Sequence, residues 1–123
     1  MINSLELAKR AAKILDSRKA NDVKVLKIEE LTVIADYFVI ATGGSTTHVR
    51  SLADELEFKL KNDETDPIAP LSTEGYDSSS WVLLDYGSVV VHVFLEDARG
   101  FYALERLWGD APQIELDFEN GQN

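Results

Sequence analysis

The stretch Tyr37-Phe38-Val39-Ile40-Ala41, running into Thr42-Gly43-Gly44-Ser45, constrains this chain more than any other. Apolar residues in succession give an extended segment no polar side to turn toward water. Such a strand belongs at the centre of a sheet covered by helices on both sides. After the glycine pair, Val49, Leu52, Ala53, Leu56 and Leu60 recur three or four positions apart, the buried stripe of a helix. A strand, a tight turn and a helix in this order already favour a layered αβ architecture.

The rest of the chain supplies the remaining layers. Leu5, Ala8, Ala11, Ala12 and Leu15 mark a first helix over about 4–18, capped by Asn3 or Ser4. Val23 and Val25 alternate with Lys24, Leu26 and Ile28, which predicts a strand. Residues 30–44 form a second β-rich stretch with a turn near Ala35-Asp36. The polar connection over 61–80 contains prolines and has room for a short strand around Ile68 to Leu71. Two β-rich runs then flank Asp85-Tyr86-Gly87-Ser88, the clearest hairpin signal in the chain. A last helix is expected over Asp97 to Trp108, with Phe101, Leu104 and Trp108 inward and Arg99, Glu105 and Arg106 more exposed. Gly109 and Pro112 end it. The order α-β-β-α-(β)-β-β-α predicts one domain over 1–110, a mixed sheet flanked by helices of the α/β (α+β) class. Residues 111–123 are expected to be an acidic, mobile tail.

The glycine turn raises the question of chemistry. A phosphate loop of the Walker type needs a lysine beside Ser or Thr, and "GGSTTHVR" has none. The dinucleotide fingerprint needs three spaced glycines. A two-metal nucleotidyltransferase needs paired carboxylates on a nearby strand, yet Asp85 is followed two positions on by Gly87. A nucleotide-binding or transferase-like enzyme using Gly43, Gly44, Ser45 and Asp85 therefore stands as the alternative reading. The structural one has Gly43 or Gly44 in a conformation other residues avoid, and Ser45 or Thr46 capping the helix. His48 beside Ser45 suggests a base and its nucleophile less readily than a cap. His48 and His92 lack a third ligand for zinc, and no cysteine exists for a thiolate site. No catalytic group, cofactor or metal is expected.

Charge narrows the partners. Twenty-two acids oppose 12 bases, a net −10, although residues 1–20 carry five bases against two acids. Such a surface repels a phosphate backbone and attracts a basic protein, unless the charge serves solubility alone. No apolar run is long enough for a bilayer, and the start lacks the apolar core of a signal peptide, so a cytoplasmic protein is expected. Trp81, Leu83 and Asp85 share one strand face, opposite Val82, Leu84 and Tyr86, while His92 and Phe94 fall together on the next strand. With Tyr102 and Trp108 these residues give either an aromatic interface patch or core packing.

"DYFVIATGGSTTHVRSLADEL" and "EGYDSSSWVLLDYGSVVVHVFLEDARGFYALERLWGD" resemble the ribosomal silencing factor family, also called Iojap-related proteins. The resemblance covers about residues 3 to 112 and is carried by Asp36, Thr42, Gly43, Ser45, His48, Gly75, Trp81, Asp85, Gly87, His92, Arg99, Tyr102 and Trp108 among others. Ser88 departs from it, since the family usually has an acid there, and any contact of that acid is then missing. The resemblance implies a nucleotidyltransferase-like fold without catalytic acids and a homodimer in isolation. It also implies binding to the fourteenth protein of the large ribosomal subunit, which blocks subunit joining and represses translation under nutrient limitation. Trp81, Leu83, Asp85, Tyr86, His92 and Phe94 would form or support the docking face, braced by Arg99 and Tyr102.

Overall fold

In the computed structural model, which describes residues 2–102 and 108–116, the elements run α1 (Ser4–Ser17), β1 (Asn21–Lys27), β2 (Tyr37–Gly43), α2 (Thr46–Lys61), β3 (Ser72–Glu74), β4 (Trp81–Asp85), β5 (Val89–Leu95) and α3 (Glu96–Tyr102). The five strands form one mixed sheet in the order β1-β2-β5-β4-β3. Among the described strands, only β2 and β5 pair in parallel. All seven residues of β2 are buried, as a central strand without a polar face requires.

The sheet separates two apolar clusters. Leu7, Ala8, Ala11, Ala12 and Leu15 of α1 pack with Val49, Leu52, Ala53, Leu56 and Leu60 of α2 over Val25, Val39, Val91, Val93, Val82 and Leu84. The small alanines of α1 let that helix sit close to the strands. On the outer face Leu26, Ile28, Ala35, Phe38, Ile40 and Phe94 form a smaller cluster, against which Trp81, Val90, Ala98, Trp108 and Ala111 pack. Asn3 caps α1, its side chain accepting the Glu6 amide at 2.8 Å. No helix among the described residues is long and apolar enough to cross a membrane.

Four expectations change. The short strand lies at Ser72–Glu74, not Ile68 to Leu71, because Pro70 has no amide to give a ladder. The Leu71 amide instead donates to the Asp85 carbonyl at 2.6 Å, just before the β3–β4 pairing starts. Residues 30–36 are a loop and not a strand, with Val33 and Ile34 in solvent. Arg99 is buried rather than exposed. Finally, the boundary set at residue 110 falls inside the packed unit. Lys27 donates to the Pro112 carbonyl and Ile114 to that of Val25, so 112–116 runs along the open edge of β1. Residues 103–107 and 117–123, and the side chains of Phe101 and Tyr102, lie outside what the structure describes.

Tyr86 belongs to the helix-covered cluster, and its hydroxyl is buried with no hydrogen-bond partner among the described residues. Burial, and then the nearby Glu57 carboxylate, push its ionisation well above the ordinary range. An orphaned buried hydroxyl costs stability. Tyr86→Phe should therefore raise the unfolding free energy by about 1 kcal/mol in a urea titration, with no loss of cooperativity.

Candidate docking face

Cross-strand register organises the outer face of the sheet into three rows. Thr42, Phe94 and Trp81 form one, Ile40, His92 and Leu83 the next, and Phe38, Val90 and Asp85 the third. Every second residue of β4, namely Trp81, Leu83 and Asp85, is half-buried on this face, while Val82 and Leu84 point into the helix-covered core. The β4 row is thus the open flank of an otherwise covered surface.

Aromatic packing fixes Trp81. Its ring stacks on Phe94 with centroids 5.0 Å apart, and its indole N–H donates to His92 Nδ1 at 3.0 Å. Phe38 meets the His92 ring edge-on at 4.6 Å and Trp108 edge-on at 5.6 Å. Because Nδ1 accepts, the proton of the neutral ring sits on Nε2, and that N–H has no partner among the described residues. Burial removes the water that would stabilise the imidazolium, and the His92 pKa falls to about 4.

Two further residues hold this arrangement: Gly75, whose role has no local signal in the sequence, and Arg99, which the family resemblance makes a brace. Gly75 adopts a φ of +80°, and a Cβ there would lie 2.1 Å from the Trp81 carbonyl oxygen. Only glycine lets the loop before β4 close so tightly. Arg99 reaches beneath the outer face, where Nη1 donates at 2.6 Å both to Thr42 Oγ1 and to the Asp22 carbonyl. Its Nη2 lies 3.3 Å from the Asp22 carboxylate. Asp22 itself has a φ of 51°, at the register shift between β1 and β2. Arg99 thereby ties α3 to the sheet at the Thr42 end of the first row. Its length and five donors are what let a cation be buried here.

The expected docking residues do not form one exposed patch. Phe94 and His92 are buried beneath Trp81 and Leu83, so they shape the surface without presenting it. Tyr86 lies on the opposite face, because its position along β4 and the hairpin turn continues the Val82-Leu84 side. Asp85 spends one carboxylate oxygen on the Gly87 amide at 2.8 Å, closing a hairpin in which Gly87 has a φ of +88°. Ser88 contributes through its carbonyl, which accepts from Asp36 and Tyr37 at 2.7 and 3.1 Å. That backbone contact does not require an acidic side chain at this position.

The glycine turn is separate from all of this. Gly43 pairs with Leu95 and Asp85 with Val90, which puts them about 16 Å apart along the strands, at opposite ends of the sheet. They cannot share one phosphate or one metal ion. Neither Gly43 nor Gly44 has a positive φ, contrary to the expectation from sequence. Gly43 is required by contact instead, since a Cβ would lie 2.9 Å from Val49 Cγ2, whereas Gly44 faces open space. Ser45 is the cap, its Oγ accepting the His48 amide at 3.1 Å, and the Gly44 amide donates to His48 Nδ1 at 3.1 Å. His48 Nε2 lies 3.0 Å from the Arg18 carbonyl, so the ring is a strut between two helix ends.

Known proteins resemble this chain along nearly its whole length. A family model described as "Ribosomal silencing factor during starvation" matches residues 1–123. A ribosomal silencing factor of Bacillus subtilis is 43% identical over 121 residues, covering 98% of this chain and all of the relative. A mouse protein named "Mitochondrial assembly of ribosomal large subunit protein 1" is 34% identical over 77% of this chain and 42% of its own length. A crystal structure of a Chromobacterium violaceum protein superposes with a TM-score of 0.81 at 35% identity, covering 95% of this chain and 92% of that one.

The His92 environment has a measurable consequence. Between pH 6.5 and about 4 the unfolded chain takes up a proton at this histidine and the folded chain does not. Stability should therefore fall as pH drops through that window, by up to about 3 kcal/mol from this group alone. Denaturant titrations of the wild type and His92→Gln from pH 7 to 4 isolate the contribution. The variant should lose less stability across the window, and parallel losses would mean that His92 charges freely in the folded state.

Proposed function

The chain belongs to the ribosomal silencing factor family, and on that premise we propose that it docks on the large ribosomal subunit as a non-catalytic factor and blocks joining of the small one. The contact is with a basic protein of that subunit, the fourteenth, and the outcome is lowered translation when nutrients are short. In isolation the chain pairs as a homodimer, and it works in the cytoplasm.

The observation that carries this reading is the row Trp81, Leu83 and Asp85, half-exposed on a face made rigid from below by Phe94 and His92. A tryptophan held in one orientation by a stack and a hydrogen bond loses little freedom when a partner covers it. Tryptophan is also the residue most enriched among binding hot spots. The acidic balance of the chain, −10 overall, favours approach to a basic protein over contact with ribosomal RNA. Arg99 and the backbone of α3 brace the face without touching the partner.

Trp81→Ala should weaken binding by about 2 kcal/mol or more. The measurement is co-sedimentation of the purified, folded variant with isolated large subunits, alongside a light-scattering assay of subunit joining. Loss of both binding and anti-association supports the face. A folded variant that binds and inhibits like the wild type would place the contact elsewhere.

A further inference from the structure

The loop between β1 and β2 exposes three large aliphatic side chains within four positions. Val33 is 101% exposed, Ile34 63% and Leu31 47%. Single exposed aliphatics are ordinary, but three together on one protruding turn form a patch that water solvates poorly.

This turn is braced. The Leu31 and Thr32 amides both donate to the Ile28 carbonyl, at 2.9 and 3.1 Å, and the Ile34 amide donates to Thr32 Oγ1 at 3.3 Å. Beyond the tip, the Asp36 amide donates to the Ser88 carbonyl and the Asp36 carboxylate accepts Ser4 Oγ at 2.8 Å. Ile28 and Ala35, the roots of the loop, are buried in the outer cluster that also carries Trp81. The tip is therefore held out in one shape, and a partner gains contact there at small entropic cost.

Position and charge indicate what covers it. The loop leaves the sheet at the Tyr37–Val89 end, the same end as Asp85 of β4, with β5 between them. Trp81 is about 13 Å from Asp85 along β4, so the row Trp81-Leu83-Asp85 runs from the loop's end of the sheet toward the other. Glu29 and Glu30 are exposed beside the apolar tip and Asp36 is half-buried at its base, while Lys27 lies 3.6 Å from Glu29. An acidic rim around an aliphatic tip repels a nucleic-acid backbone and suits a basic protein surface with an apolar cleft.

We propose that Val33 and Ile34 are a second anchor of the docking face, inserting into an apolar cleft bordered by lysine or arginine on the same basic protein that covers Trp81. The inference rests on the large-subunit reading and assigns the contact a second end. The test uses the full chain carrying Val33→Ser and Ile34→Ser. Both side chains are in solvent, so the unfolding midpoint should not move. Co-sedimentation with purified large subunits should weaken tenfold or more, while self-association in sedimentation equilibrium stays at the wild-type level. Glu29→Gln with Glu30→Gln should weaken binding less and flatten its salt dependence.

Wild-type affinity of the double serine variant for the subunit would overturn the anchor while leaving the Trp81 face standing. Loss of self-association with subunit binding intact would also overturn it, making a second copy of the chain the occupant. Failure of the wild type itself to bind large subunits would remove the function together with the anchor.

Discussion

The parallel pairing of β2 with β5 is the constraint on which the rest of the molecule depends. β2 is buried at all seven positions, and five of the seven β5 residues are buried beside it. Two such strands at the centre of a sheet need cover on both faces, which the chain supplies unequally. α1 and α2 seal one face with a leucine- and alanine-rich layer. Among the described residues the other face receives α3 and the turn around Trp108, and these leave the β4 flank open. The open flank follows from the layering itself.

Once the layering is set, strand register decides which residues can act. Trp81 stands beside Phe94 because β4 and β5 pair in that register, and one residue of slippage would turn Trp81 into the helix layer. The hairpin turn sets the register, through Gly87 in its left-handed conformation and the Asp85 carboxylate on the Gly87 amide. The same turn positions the aliphatic loop, since the Ser88 carbonyl accepts two amides from its far end. Hairpin, tryptophan and loop tip form one mechanical unit, with Arg99 fastening the opposite end.

Much of this was legible where periodicity and turn chemistry agree. The helix stripe from Val49 to Leu60, the β4–β5 hairpin and the Ser45 cap are local features, and local pattern specifies them. The misreadings share a physical cause, because contacts made across the sheet leave no local trace. Val33 and Ile34 are β-branched and apolar, so they imitate a strand, yet no partner strand lies at that level among the described residues. Helical periodicity makes Arg99 one of the more exposed residues, because its partners, Thr42 and Asp22, are distant in sequence; only the family resemblance makes it a brace. The turn pattern assigns Gly43 or Gly44 an unusual dihedral, whereas neither has a positive φ and Gly43 is fixed by the approach of Val49. Gly75, which makes room for the Trp81 carbonyl, carried no such signal beyond its membership in the family pattern.

The central claim is that a rigid, acid-rimmed face recognises a basic protein on one ribosomal subunit. Co-sedimentation of the wild-type chain with separated large and small subunits across a salt series tests it most directly. The account predicts binding to the large subunit alone, weakening as salt rises because charge guides the approach. Equal binding to both subunits, or to neither, would contradict it.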